Sequence, residues 1–296
     1  MIGVVLSPGG EGLPGPPLRG NHHVPRLRLI FQLAVVIAAI TAGVRFALGR
    51  SLVSVETYCP FGGLETAYSF FTRRQFSCAA GETNLALFAA LVALTLVARK
   101  AFCGWVCPVG AVLEWEAKLA RRLSGRRDFA GPWHLPARVD RGLKVGLRLA
   151  VLALVLAATW KTGELVFRGY DPYYILFSAH GHDVQPWSYA VLGGLLLLGL
   201  ALPLAWCKYL CPLGIVMWPL SRAGALRLAR SPRHCTGCGA CDRACPQALQ
   251  VSNVDEVRSG ECTLCLECTA ACPSPQALEL ALPRVGSDCA RAEART

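Results

Sequence analysis

Four apolar stretches dominate the chain. They are Leu29–Leu48, interrupted only by Arg45; Thr83–Ala98, which carries no charge; Val145–Trp160, with Arg148 near its start; and Pro186–Trp206. A bilayer core asks for about 20 apolar residues per helix. The second and third stretches are short by that measure, but Lys and Arg at their ends can snorkel and extend them. The pattern predicts four transmembrane helices. Residues 1–26, before the first stretch, are rich in Gly and Pro and lack the parts of a signal peptide, so they read as a disordered tail.

Basic residues orient the spans. Eleven lie between the second and third: Arg99, Lys100, Lys118, Arg121, Arg122, Arg126, Arg127, Arg138, Arg141, Lys144 and Arg148. Residues 49–84 carry three (Arg50, Arg73, Arg74) and 161–187 carry two (Lys161, Arg168). Positive charge collects on the cytoplasmic side. Both termini, the middle loop and everything after Trp206 are therefore expected in the cytoplasm, on a bacterial inner membrane. Composition agrees: 53% of residues are hydrophobic, 17% are charged and mean hydropathy is +0.41. The net charge of +11 then reads as membrane-flanking charge and not as a nucleic-acid surface.

The chain also repeats. "FCGWVCPVG" (Phe102–Gly110) follows the second apolar stretch and "WCKYLCPLG" (Trp206–Gly214) follows the fourth. Each half is a helical hairpin ending in aromatic-C-x-x-x-C-P-x-G. A fainter echo joins Tyr58-Cys59-Pro60-Phe61 to Tyr170-Asp171-Pro172-Tyr173. Two halves running the same way suit a pseudo-twofold along the membrane normal, which would bring the cysteine pairs to one depth.

Two further cysteine runs close the chain, "CTGCGACDRACP" (Cys235–Pro246) and "CTLCLECTAACP" (Cys262–Pro273). Cytosolic thiols stay reduced, which argues against disulfides, and zinc sites pair two short C-x-x-C elements across a longer segment. Each run is instead C-x2-C-x2-C-x3-C-P, the bacterial ferredoxin spacing, whose fourth cysteine reaches the other cluster. Two 4Fe–4S clusters with crossed ligation follow: Cys235, Cys238, Cys241 and Cys272 on one, and Cys262, Cys265, Cys268 and Cys245 on the other. Such clusters move single electrons. The domains expected are the tail at 1–26, a membrane domain at 27–228, a ferredoxin domain at 229–284 and a polar tail at 285–296.

Four spans, two C-x-x-x-C-P motifs and a C-terminal two-cluster ferredoxin together resemble the membrane ferredoxins of periplasmic nitrate reductase systems, the H-type quinol dehydrogenase component. The methylamine-utilisation N-type ferredoxin is similar. The resemblance covers residues 27 to about 282 and extends to the nitrous oxide reductase regulator and the cupric reductase of oxidase assembly. It implies quinol and a redox partner protein, whether ferredoxin, cytochrome or periplasmic oxidoreductase. The "CPFGGLE" at Cys59–Glu65 departs from the nitrate-reductase pattern.

The cysteines of the repeat leave three readings. Cys103, Cys107, Cys207 and Cys211 share a metal or third cluster, form a redox dithiol or copper-handling set, or only pack. Spaced i, i+4, each pair would share a helix face, and thiols at helix N-termini beside Arg99, Lys100 or Lys208 should have lowered pKa values. On the outer side, Cys59 and Cys78 could form a disulfide. Arg45 in a span is a functional candidate, and His180 and His182 could take quinol protons or bind metal.

The expected fold is an α-helical membrane protein of four transmembrane helices in two repeated hairpins, plus a small α+β two-cluster ferredoxin domain. The expected function is an electron-transfer component that relays electrons between the quinone pool or a partner ferredoxin and a respiratory or periplasmic enzyme. The alternative is a cytoplasmic-side cupric reductase or maturation factor using the C-x-x-x-C-P cysteines. One gap stands out. Outer-face quinol and inner-face clusters would lie about 30 Å apart, with no haem motif or paired intramembrane histidines between them.

Overall fold

The computed structural model describes residues 23–50, 58–73, 81–126, 128–129, 137–162, 170–178 and 186–282. Its long helices are α1 (His23–Ala47), α3 (Gly81–Ala98) and α6 (Ala137–Thr162). All three are long and apolar enough to cross a membrane. The fourth apolar stretch gives α8 (Pro186–Ala201), a shorter apolar helix of 16 residues. Large side chains on these helices face outward: Ile30 is 64% exposed, Leu154 70% and Leu197 70%. A soluble monomer rarely shows such a belt, whereas lipid matches it. Helix α1 begins at His23, four residues inside the stretch expected to be tail.

Two helices form where the sequence suggests outer loops. These are α2 (Pro60–Arg73) and α7 (Pro172–Phe177). Proline fits the first helical position, where its missing N–H has no partner to lose. After α3 come α4 (Ala101–Trp105) and α5 (Pro108–Leu123). After α8 come a π-helical turn (Trp206–Leu210) and α9 (Pro212–Ala223). The two halves thus match element by element, and they clasp one another. Helix α5 packs on α8 of the other half, and α9 on α3; α2 likewise meets α6, and α7 meets α1.

The chain then forms β1 (Arg227–Arg230), α10 (Ala240–Ala244), β2 (Glu256–Val257), α11 (Glu267–Ala271) and β3 (Leu278–Ala281). The antiparallel sheet has order β2-β1-β3, with Leu228 opposite Val257 and Leu280. The first cysteine run turns through Gly237 and Gly239 at positive φ (70° and 65°), whereas the second places Leu264 and Leu266 there (46° and 59°). Leucine in that region costs about 1–2 kcal/mol per residue. Packing offsets the cost: Leu264 is 6% exposed, and Leu266 packs against the ferredoxin core.

Buried charges lock this domain onto the membrane half. Arg148, 1% exposed, donates to Glu261 (2.6 Å) and to the Cys207 carbonyl (2.6 Å). Lys100 reaches the same carboxylate at 3.0 Å. Arg28 of α1 bonds Glu114 of α5, Glu267 of α11 (2.9 Å) and the Gly104 carbonyl (2.9 Å), and Lys118 joins both acids. Arg99 donates to the Val257 and Ser259 carbonyls at 2.5 and 2.6 Å. Removing one partner of such a pair strands the other charge. Glu261→Gln is expected to cost about 3–5 kcal/mol, read as a lower unfolding midpoint and faster proteolytic release of the ferredoxin domain in detergent. Unchanged stability would show that the two cations are solvated.

Candidate iron–sulfur centres

Two cavities in the ferredoxin domain separate its eight cysteines by fours. One is lined by Cys235, Cys238, Cys241 and Cys272; the other by Cys245, Cys262, Cys265 and Cys268. Each takes three thiols from one run and the fourth from the other. Four thiols around one space are the donor set that holds a 4Fe–4S cubane, so the residues present fit that group. Bound there, it would supply reversible one-electron transfer. The two sites differ in exposure. Cys238 is exposed, whereas Cys245, Cys265 and Cys268 are buried. Burial pushes Cys265 up to about 12, while the Gly237 N–H and then Arg230 hold Cys235 below its usual value. Asp242 ties the first run to the segment that follows it through the Val251 N–H (2.5 Å), the Ser252 N–H (2.8 Å) and the Ser252 hydroxyl.

The buried set sits directly on the membrane motif. Trp105 Nε1, between Cys103 and Cys107 in sequence, donates to the Leu264 carbonyl at 3.0 Å. A Cβ built on Gly104 would lie 3.0 Å from the Thr263 carbonyl oxygen. Gly104 thus lets the two domains meet closely, where a side chain would press on Thr263.

The repeat's cysteines do not share continuous helices. Cys103 lies in α4 and Cys207 in the π turn, while Cys107 and Cys211 are extended, at φ −69°, ψ 114° and φ −64°, ψ 110°. The following prolines disfavour helix for the preceding residue, and this overrides the i, i+4 reading. The four thiols still gather. Cys207 is perturbed by Cys211, Cys107 and Cys103, and Cys103 by Cys211. The expected lowering of their pKa values is reversed: burial pushes all four up, Cys103 to about 11, and outweighs Lys100 and Arg148. A free thiolate set is therefore disfavoured unless bound cations compensate it.

A Cβ on Gly110 would fall 2.6 Å from the Cys103 carbonyl oxygen, and one on Gly214 would fall 3.6 Å from that of Cys207. This explains Gly110, where the new helix backs onto the first cysteine's carbonyl; at Gly214 the approach is an ordinary contact.

On the far side Cys59 is a free thiol, buried and donating to Asp171 Oδ2 at 3.1 Å; Cys78, the other half of the disulfide the sequence allows, lies outside the described residues. Its sulfur is turned inward, where the Phe61 and Gly62 N–H groups also point at it. Cys289, His180 and His182 also lie outside the described residues. Arg45 is exposed in the last turn of α1 and lines none of the sites described. Asp171 was visible in sequence only as the counterpart of Cys59; the buried pair they make was not. Among the described residues no group of three or more His, Cys, Asp or Glu closes on a single metal ion. A cubane spreads its ligands over separate irons, so thiols that do not close on one ion remain compatible with a cluster.

A family model described as a 4Fe-4S binding domain matches residues 81–127 and 184–230, and a 4Fe-4S dicluster domain matches 227–273. The only cysteines in the two former segments are Cys103 and Cys107, and Cys207 and Cys211. The methylamine utilization ferredoxin-type protein MauN of Methylorubrum extorquens is 29% identical over 92% of this chain and 94% of its own length. YccM of Escherichia coli, provisionally named an electron transport protein, is 30% identical over 78% of this chain. The ferredoxin-type protein NapH of Haemophilus influenzae is 28% identical over 62% of it. The chain spans 64% of the length of each of these two. No solved structure matches.

Crossed ligation has a spectroscopic consequence. Cys272→Ser, in the second run, should abolish or alter the EPR signal of the exposed first-run site and spare the buried one; Cys245→Ser should do the reverse. Each variant disturbing only its own run's site would overturn the pairing. In the membrane motif, Gly110→Ala should destabilise the fold by about 1–3 kcal/mol through overpacking, and Gly214→Ala much less. Equal melting shifts for the two would remove the close-approach explanation.

Proposed function

Because the chain belongs to the family of ferredoxin-type proteins that includes NapH and MauN, we propose that it is a membrane-anchored relay with three iron–sulfur centres. Cys235, Cys238, Cys241 and Cys272 hold the exposed one, and Cys245, Cys262, Cys265 and Cys268 the buried one. Cys103, Cys107, Cys207 and Cys211 hold the third. The relay passes single electrons between a carrier in the membrane, a quinol, and a partner redox protein that meets the exposed centre. That partner serves a respiratory or periplasmic enzyme, and the ferredoxin domain faces the cytoplasm.

One observation carries this reading: the three cysteine sets adjoin one another in series, from a set with a solvent-exposed thiol to a half-buried set within the membrane motif. Cys238 is exposed, the second set is mostly buried and rests on Gly104 and Trp105, and the third lies within the motif those residues belong to. An ordered series with one solvent-facing end suits a protein partner at that end. The opposite end suits a donor in lipid. The family model's match to two segments that hold only the repeat's cysteines supports the third centre.

Anaerobic purification in detergent, with iron and sulfide counting, tests the relay. About twelve irons per chain are expected, in place of the about eight that the dicluster spacing alone would bind. Cys103→Ser with Cys207→Ser should remove about four and leave both ferredoxin EPR signals. About eight irons, unchanged in that double variant, would reject the third centre.

A further inference from the structure

A cavity of about 390 Å³ lies between the two halves of the membrane domain. That volume falls within the range of small-molecule sites. Its walls are almost wholly apolar, with Ala39, Ala42, Phe61 and Trp206 among them. Cys107 and Cys211 of the thiol quartet border it, and so does the Cys59–Asp171 pair. Ala38 and Tyr58 line the cavity and are also exposed, so it opens beside α1 within the lipid-facing belt. Ala38 stands ten residues from Arg28, which docks the ferredoxin domain; at helical rise that is about 15 Å, mid-depth in a bilayer core.

The polar group in this wall is specific. Asp171 Oδ1 accepts the Tyr173 N–H at 3.1 Å, and Oδ2 accepts the Cys59 thiol at 3.1 Å. Each carboxylate oxygen has a second lone-pair site, and Asp171 itself lines the cavity. An ionised carboxylate accepts hydrogen bonds and donates none. In its ionised form Asp171 therefore prefers a ligand carrying hydroxyls to the same ring carrying carbonyls. A lipid-facing mouth, apolar walls, one acceptor and a neighbouring redox-type thiol set together describe a lipid-soluble aromatic diol.

We infer that this cavity binds the ring of a membrane hydroquinone, that Asp171 accepts the hydrogen bond of one ring hydroxyl, and that Cys59 holds the carboxylate in place. Asp171 is thus a specificity residue for the reduced carrier. The inference rests on the reading that the chain exchanges electrons with a carrier in the membrane.

The test uses the full chain in lipid nanodiscs, reduced with dithionite so that no electrons leave the ligand. Binding of decylhydroquinone is compared with that of its dimethyl ether, which has the same ring and tail but no hydroxyl. The wild-type protein should bind the diol at least about tenfold more tightly, the factor one charge-assisted hydrogen bond gives. Asp171→Asn should narrow the ratio and Asp171→Ala should bring it to about one, with iron content unchanged. Ala39→Phe, which fills the cavity without touching the acid, should abolish binding of both compounds and keeps the site testable if Asp171→Ala fails to fold. Binding of neither compound by the wild-type protein would sink the membrane-carrier reading along with this inference. Binding of both with a ratio insensitive to Asp171 would overturn the role of the acid alone, and binding that survives Ala39→Phe would place the ligand elsewhere.

Discussion

A proline denies its predecessor the helical conformation, and the membrane half is organised around four residues so placed. Cys59, Cys107, Asp171 and Cys211 each precede a proline that starts a helix. Three have nearly one backbone geometry: φ −69°, −68° and −64° with ψ 114°, 118° and 110°. All four border the same cavity. The break does two things at once. It frees the side chain from the helical surface, and it exposes the first N–H groups of the new helix, to which the side chain answers: Cys107 accepts from Gly110 and Asp171 from Tyr173. The internal repeat makes this happen twice in each half, so chemistry-bearing residues converge from four directions.

The second constraint is charge. Glu261 pairs with Arg148 and Lys100, while Glu114 and Glu267 share Arg28 and Lys118. Buried ion pairs add little net stability over well-packed apolar residues, but they punish misplacement heavily. That is the property needed where a ferredoxin must hold one pose on a membrane domain. Arg99 shows the same logic in the backbone, sitting at φ 57° at the end of α3 with its guanidinium aimed at two ferredoxin carbonyls.

Much of this was legible in the residue order, and what was missed has physical reasons. The ferredoxin spacing prescribes which thiols share a space, because each three-residue step is local geometry. The apolar stretches prescribe α1, α3 and α6 for the same reason. The helices α2 and α7 were hidden because their flanking stretches look like loops, although Cys59-Pro60 and Asp171-Pro172 carry the start signal. The i, i+4 reading of Cys103 and Cys107 erred by ignoring what Pro108 does to Cys107. The thiol pKa direction erred because helix N-termini and lysines are visible in sequence and burial is not. The Cys59–Asp171 contact joins residues 112 apart, and only the packing of the two halves creates it.

That contact also bears on a difficulty the sequence poses. Inner-face clusters and an outer-face donor would be separated by a bilayer thickness of about 30 Å, with nothing between them to carry charge. The clasped halves shorten the distance from both ends. The short helices α2 and α7 begin at the cavity, carrying Cys59 and Asp171 inward, and the breaks after α4 and the π turn bring Cys107 and Cys211 to the same cavity from the ferredoxin side. In the proposed relay the donor need not reach the far surface, because the mouth between Ala38 and Tyr58 opens beside α1. Burial then serves insulation. Apolar walls keep water from the cavity on one side, and burial keeps it from the innermost ferredoxin thiols on the other. Only Cys238 is left exposed among the described cysteines, as the point where a partner can meet the chain.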